Sequence, residues 1–489
     1  MPGTDLFDAM KGPRPTWIRL SKLALLLSDA TALWLAGAWA SLFAVGLDIE
    51  YTHWLQGQDI MRFYIWTCVS LFGLLLFLVR FRHYSDRKPF WTELNEILSV
   101  VMVLALLDLA MVAFAKWSAS RQWWALTWTL AAIFLPLLRY AVRKLLTRLG
   151  LWLRPTLLIG CGPNAHEALA ALHSEPEMGF KVVGFVDVAS MDGGKRTEVA
   201  GTMGIPVLSM DQFRHWAKIP GVQVVIALEH AQNALREKWL RRLTRWGVED
   251  ISVIPAMRGV PLYGTDISYF FSHEVAMLKL RNNLRYWPAR WLKRVFDLSA
   301  ALVLLAVGWP LFLYLMWRIR QDGGPAIYAH KRVGQGGKLF DCYKFRSMGV
   351  DAEERLRELL ASDPALKSEW DKEFKLKDDP RISEIGHFLR CTSLDELPQL
   401  FNVIKGQMSL VGPRPVVISE LVRYGDDVDY FLMVRPGMTG LWQVSGRNDI
   451  GYETRVYLDT WYVKNWSMWY DIAILFKTIR VVLSRRGAY

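Results

Sequence analysis

Cysteine is scarce in this chain. Four residues in 489, Cys68, Cys161, Cys342 and Cys391, are scattered without the paired spacing of a zinc site or the density of a disulfide scaffold. A reduced compartment is the simplest reading. No secretory layout opens the sequence, because the apolar stretch after Met1 to Arg19 is long and no small-residue cleavage motif follows it. Acidic residues are in deficit, 47 against 59 Lys and Arg, for a formal net charge of +12. Polar residues are few as well, since 52% of the chain is hydrophobic and 23 residues are Trp. Apolar segments beside an excess of base favour a membrane protein with a basic cytoplasmic face, and no nucleic-acid partner is expected. The length suggests roughly three folded units.

Four apolar stretches precede residue 150: Leu23–Leu47, Phe63–Val79, Ile97–Ala115 and Trp123–Leu138. Each approaches the ~20 residues a helix needs to cross ~30 Å of hydrocarbon. Positive charge alternates between their flanks. Lys11, Arg14, Arg19 and Lys22 come first, Arg80, Arg82, Arg87 and Lys88 follow the second stretch, and Arg139, Arg143, Lys144, Arg148 and Arg154 follow the fourth. Both ends of this bundle are thereby expected in the cytoplasm. Asp29 and Asp108 lie inside the stretches. Such acids are functional candidates by default, but a protonated or hydrogen-bonded group in the bundle interior is the preferred reading.

From Pro155 the pattern changes to short strands, Thr156–Ile159, Lys181–Val186, Val222–Ala227 and Asp250–Ile254, separated by helical segments such as Ala165–His173 and Leu235–Trp246. This alternation predicts a parallel α/β unit. The first turn, Gly160-Cys161-Gly162-Pro163-Asn164-Ala165, stands where a dinucleotide fingerprint would, with Asp187 beyond the next strand. GxGxxA alone assigns no cofactor, and a ligand-free structural or regulatory domain is at least as good a reading. A nucleotide-sugar dehydratase or reductase would also need an acid–base pair such as Tyr and Lys on one helix, which is not found near Gly160.

The run Val295–Trp317 carries only Asp297 as a charge. It is bracketed by Arg290, Lys293 and Arg294 before it and by Arg318, Arg320, Lys331 and Arg332 after it. Positive charge at both ends suits a segment that enters and leaves on one face. Gly308-Trp309-Pro310 near the midpoint supplies a bend, since proline removes an amide donor.

Chemistry concentrates in the last third. His330-Lys331-Arg332-Val333-Gly334-Gln335-Gly336-Gly337-Lys338 suits phosphate, or equally a solvated charge run beside anionic lipid. In Tyr343-Lys344-Phe345-Arg346-Ser347-Met348 the two cations alternate along a predicted strand and share a face, so together they could hold a diphosphate. In Ser393-Leu394-Asp395-Glu396-Leu397-Pro398-Gln399-Leu400-Phe401-Asn402, Ser393 and Glu396 have capping-box spacing, which explains Glu396 without catalysis. Adjacent carboxylates there could also divide labour, one attacking phosphorus while the other holds a metal or a proton. Gly412-Pro413-Arg414-Pro415 and Arg435-Pro436-Gly437-Met438-Thr439-Gly440, followed by Gly446-Arg447-Asn448, present arginines on turns fixed by Pro and Gly.

This ordered set, together with Tyr462-Val463-Lys464-Asn465, resembles the polyprenyl-phosphate hexose-1-phosphate transferases, also called monotopic phosphoglycosyl transferases, over about Lys293 to Tyr489. Phe81-Arg82-His83-Tyr84 and Arg87-Lys88-Pro89-Phe90-Trp91 extend the likeness to the long subgroup, which includes galactose phosphotransferases. The resemblance implies a membrane α-helical bundle (1–150), a Rossmann-like α/β domain (151–270) and an α/β catalytic domain with a re-entrant membrane hairpin (271–489). It further implies Asp395 as nucleophile, and Glu396 with Asp395 at a Mg²⁺ ion. Lys344, Arg346, Arg390 and Arg414 would meet the diphosphate, with Arg447 and Asp459 as second-rank binding or supporting residues. The partners would be a UDP-sugar, undecaprenyl phosphate and the bilayer, with a homodimer left open. Galactose 1-phosphate is the expected cargo and glucose 1-phosphate the runner-up. Trp309 stands where the family often has Ser before the hairpin proline, so no serine hydroxyl can bond back to the helix there. A non-enzymatic scaffold is the remaining rival.

Overall fold

The computed structural model describes residues 15–47, 55–114, 121–187, 204–257, 266–269, 276–279, 287–321, 323–349, 352–362, 381–446 and 451–484. Two compact units divide the chain, Met1–Met257 and Arg258–Tyr489.

The first unit begins with four helices, α1 (Pro15–Leu47), α2 (Leu55–Leu75, prolonged by a π-helical turn to Arg80), α3 (Phe90–Phe114) and α4 (Arg121–Arg148). All four meet the length and hydropathy of a membrane crossing, as does one helix of the second unit. Small residues let them approach: Ala32, Ala36 and Ala40 of α1 are fully buried. Leu33, Phe77, Leu104 and Leu135 fill the space between.

A buried polar network crosses this core. Arg139 of α4 donates from Nε and Nη2 to Asp29 of α1 at 2.7 and 2.6 Å, and the Tyr84 hydroxyl donates to the same carboxylate at 2.6 Å. Arg139 Nη1 also donates to Glu93 at 2.7 Å, and Glu93 accepts from Arg143. Asp108 accepts the indole N–H of Trp128 at 2.9 Å. Both acids are thus interior bonded groups, and the partner of Asp29 is a full cation supplied by the basic run at the end of α4. The segment between α2 and α3 ties the bundle to the sheet domain. Arg87 donates to the carbonyls of Met178 and Trp152, both at 2.7 Å, and its guanidinium stacks 4.3 Å from the Trp152 ring centroid.

The sheet follows: β1 (Arg154–Ile159), α5 (Pro163–Ser174), β2 (Phe180–Val186), α6 (Met210–Ala217), β3 (Gln223–Ile226), α7 (Asn233–Arg245) and β4 (Asp250–Val253). Strand order is β2-β1-β3-β4 and every pairing is parallel. Helices cover both faces, so the strands are apolar on both sides. Leu157, Ile159, Val224 and Ile226 pack on Phe213, Trp216 and Trp239, whereas Leu158, Val182 and Val225 pack on Ala165 and Leu169.

The second unit carries a two-stranded pair, β5 (Asp266–Tyr269) and β6 (Ala276–Lys279), then the long helix α8 (Trp287–Arg320), which contains Pro310. An antiparallel hairpin, β7 (Ile327–Val333) and β8 (Leu339–Phe345), leads through α9 (Ala352–Ser362) to α10 (Glu384–Thr392) and α11 (Gln399–Ile404). A parallel pair, β9 (Ser409–Val411) and β10 (Gly437–Thr439), then precedes α12 (Leu441–Val444), α13 (Tyr452–Lys464) and α14 (Met468–Ser484).

The two arms of α8, before and after Pro310, both contact this unit. On the first arm Arg294 donates to the carbonyls of Val403 and Ile404 at 2.6 and 2.9 Å, and Asp297 accepts from Ser409 Oγ and Leu410 N–H at 2.7 and 3.2 Å. On the second, the Phe312 ring lies 5.0 Å from Phe345 and 5.5 Å from Phe401, and the Ile319 carbonyl accepts from Arg346 at 3.1 Å. Between them Leu302, Val303, Leu304, Val307 and Trp309 are exposed.

Candidate active site

Strand register builds one wall of the site. Tyr328 pairs with Lys344, His330 with Cys342 and Arg332 with Phe340, so alternate residues of β7 share a face with Lys344. This sorts the basic stretch. Lys331 points to the other face, mostly exposed and paired with Asp341, while Arg332 is largely covered, 3.5 Å from Glu420. Burial and the charge of Arg414 both lower the pKa of Arg332. Sequence reasoning weighed Arg332 but did not place it in the site; the alternation along β7 is the signal that separates it from Lys331.

The opposite wall is an acidic turn held between two short helices. Ser383 caps α10 by accepting from the Gly386 amide at 3.1 Å. The helix ends at Ser393, whose φ of 57° is left-handed, and Leu394–Glu396 form a single 3₁₀ turn. The expected Ser393–Glu396 capping box is not formed: the Ser393 side chain caps nothing, because the residue closes α10 in a left-handed conformation. That leaves the Glu396 carboxylate available for a different partner. Asn402 fixes the far side of the turn. Fully buried, it accepts from the Tyr343 amide at 3.0 Å and donates to the Asp341 carbonyl at 2.7 Å, which stitches α11 onto β8.

These constraints bring Asp395 and Glu396 onto Lys344. The ammonium nitrogen lies 3.1 Å from Asp395 Oδ2 and 2.8 Å from Glu396 Oε1. Burial pulls the Lys344 pKa down, but the two carboxylates outweigh it and hold the group above its ordinary range. Burial raises the Asp395 pKa and the neighbouring Glu396 adds to it, against Lys344 and Arg390. The turn therefore holds a desolvated carboxylate against one ammonium.

The Arg414 loop is locked by the next motif. Gly437 N–H donates to the Pro413 carbonyl at 2.8 Å and Gly412 N–H to Thr439 at 2.9 Å. A Cβ on Gly437 would stand 2.1 Å from the Gly412 nitrogen, so only glycine permits this approach. Arg414 is exposed, lies over the Trp442 ring at 5.7 Å, and its charge lowers the pKa of Lys344. Lys344, Glu396, Arg332 and Arg414 all act on the thiol of Cys342, whose pKa burial pushes up to about 11.

Two family profiles match the chain: bacterial sugar transferase over residues 288–485 and CoA-binding domain over residues 81–248. An undecaprenyl-phosphate galactose phosphotransferase of Salmonella typhimurium is 48% identical over 96% of this chain and 98% of its own length. This chain belongs to the bacterial sugar transferases. A UDP-galactose-lipid carrier transferase of Erwinia amylovora matches at 48% over the same shares, and an undecaprenyl-phosphate glucose phosphotransferase of Komagataeibacter xylinus at 31% over 69% of this chain and 60% of its own.

The remaining predicted residues of the transferase fall at several places. Arg390 Nε donates to Ser347 Oγ at 3.0 Å, and its charge works to lower the Asp395 pKa. Arg346 follows the last residue of β8 and donates to the Ile319 carbonyl, so it braces the end of α8. Asp459 is buried on α13, where its Oδ2 accepts from Tyr424 at 2.9 Å; burial pushes its pKa up to about 8, against Tyr424 and the charge of Arg414. Arg447 lies outside the described residues.

Proposed function

We propose that the transferase moves galactose 1-phosphate from UDP-galactose to undecaprenyl phosphate, releasing UMP and starting a lipid-linked polysaccharide such as an O antigen or exopolysaccharide. The observation that carries this reading is the largely buried Asp395 carboxylate held 3.1 Å from Lys344, with Arg390 acting on the same carboxylate and Arg414 on the lysine. Galactose follows from the two relatives named for it, each 48% identical along nearly the whole chain.

The Asp395 oxygen attacks the phosphorus that carries the sugar, and the phosphoanhydride bond to UMP breaks. A phosphate oxygen of the lipid then attacks the same phosphorus, and the Asp395 carboxylate leaves. A carboxylate nucleophile divides one transfer between two anions into two separately screened steps. Lys344 moves from the carboxylates to the incoming phosphate, while Arg414 and Arg332 offset charge at phosphorus. Arg390 helps to keep the Asp395 carboxylate ionised.

Mg²⁺ suits this site. Two adjacent carboxylates already converge on one positive charge, and Mg²⁺ is commonly held by one or two carboxylates plus substrate phosphates. Glu396, with Asp395, would hold the ion, which would neutralise the donor diphosphate.

The transferase is a multi-pass protein of the bacterial inner membrane, with its α/β parts on the cytoplasmic side, the side that the basic flanks of α1 to α4 mark. Helix α8 re-enters the face it left. Arg294 and Asp297 before Pro310, and Phe312 and Ile319 after it, all contact the catalytic unit, and a proline inside the helix removes an amide donor and bends it. The exposed apolar residues between these contacts enter the lipid. The active site then lies at headgroup level.

Membranes containing the transferase, incubated with a panel of UDP-sugars, test the reading. UDP-galactose should yield a lipid-linked diphosphate sugar and UMP. Preference for UDP-glucose would replace the sugar, and no transfer from any donor would overturn the proposal.

A further inference from the structure

The match to a CoA-binding domain implies coenzyme A in the crevice at the start of α5, and the first turn has the glycines of a dinucleotide site. The residues present do not fit such a ligand. Nucleotide diphosphates bind there by taking the free amides of the helix N-terminus, and those of α5 are already assigned. Pro163 has no amide hydrogen. Asn164 N–H donates to Glu229 Oε1 at 2.7 Å. Ala165 and His166 both donate to the Gly162 carbonyl, at 3.0 and 3.2 Å.

We infer that Glu229 is an internal ligand: its carboxylate takes the position a pyrophosphate would occupy and closes the crevice to coenzyme A and to dinucleotides. Three further observations agree. A Cβ on Gly162 would stand 2.9 Å from Glu229 Oε1, so this glycine makes room for the chain's own carboxylate. Gly160, at φ +121°, would place a Cβ 2.5 Å from the Ala227 carbonyl, so it serves the approach of β1 to the end of β3. The Asn164 side chain donates to the carbonyls of Leu228 and Ile254, at 3.1 and 3.0 Å, tying α5 to the segment that presents Glu229. Glu229 is itself fixed, its amide donating to Gln232 Oε1 at 3.1 Å. An anionic ligand would have to displace a carboxylate and then lie against it. The inference is independent of which sugar is transferred.

Hydrogen exchange read by mass spectrometry on the full-length transferase in lipid nanodiscs tests this. Millimolar coenzyme A and millimolar NAD⁺ are the probes. Neither should slow exchange in residues 160–174 of the unmodified protein. Glu229→Ala should speed exchange of the Asn164 amide by about tenfold, the loss of one charge-assisted hydrogen bond. Glu229→Gln, whose amide oxygen still accepts, should keep most of the protection, and it serves if the alanine variant does not fold. Protection of residues 160–166 by either probe in the unmodified protein would overturn the inference, as would unchanged Asn164 exchange in a folded Glu229→Ala protein.

Discussion

Replacing Gly386 by alanine should disable the transferase without touching any catalytic group. Gly386 sits one turn into α10, where the helix presses on the backbone of Ser347, just beyond Lys344 on the same segment. A Cβ added there would lie 1.9 Å from the Ser347 oxygen and 2.6 Å from its carbonyl carbon, where ordinary contacts begin at 3.4 Å. The obstacle is backbone, so α10 must retreat by about 1.5 Å, carrying Arg390 and the acidic turn away from Lys344. A misplacement of ~1 Å in a catalytic constellation costs on the order of 100-fold, whereas overpacking of this kind costs about 1–3 kcal/mol of stability. Gly386→Ala should therefore lower kcat about 100-fold while leaving a folded protein. Initial rates of label transfer from UDP-galactose into extracted lipid measure the first effect, and thermal unfolding in detergent the second. Gly451→Ala is the control, because a Cβ there meets nothing within 4 Å. Turnover of Gly386→Ala within about threefold of the unmodified enzyme, well short of the expected loss, would show that the Ser347 contact does not set the position of Asp395.

Two other perturbations follow from the same geometry. Lys344→Ala removes the main charge opposing the upward pull of burial and Glu396 on Asp395. As the proposed nucleophile, Asp395 would work ionised, so activity is lost as pH falls through its pKa, and the acid limb of the pH–rate profile should move to higher pH; an unmoved limb would count against the pairing. Asp29→Ala leaves Arg139 buried without its two-pronged partner and should destabilise the bundle by ~3–5 kcal/mol, visible as a lowered Tm, while an unchanged Tm would mean the network contributes nothing net.

The sheet domain was legible because its strands are short, apolar and regularly spaced; all four observed strands lie within two residues of the predicted ones. The four bundle helices were legible by length and hydropathy, but their cores exceed those windows. Helix α4, for example, runs on to Arg148 and uses the basic run as interior partners for Asp29 and Glu93. That pairing joins residues 110 apart in sequence, and no local pattern encodes it. The Asp395–Glu396 pair and Lys344 were both named from motifs, yet what brings them together was not. Asn402 does so through two backbone groups of β8, and Gly386 does so by lacking a side chain, a role spacing cannot announce. Capping-box spacing says nothing about φ, and Ser393 is left-handed where it joins the end of α10 to the 3₁₀ turn, so its side chain caps nothing. Strand alternation puts Arg346 on the face of Lys344; what it could not announce is that the guanidinium also donates to the Ile319 carbonyl of α8.

The most direct test of the central claim is to withhold the lipid acceptor. The purified transferase is incubated with UDP-galactose alone, quenched and digested, and the added mass of a hexose phosphate is located by tandem mass spectrometry. The adduct should sit on Asp395, appear with one equivalent of UMP, disappear when undecaprenyl phosphate is supplied, and be absent from Asp395→Asn. An adduct on another side chain, or UMP release that requires the lipid, would contradict the account.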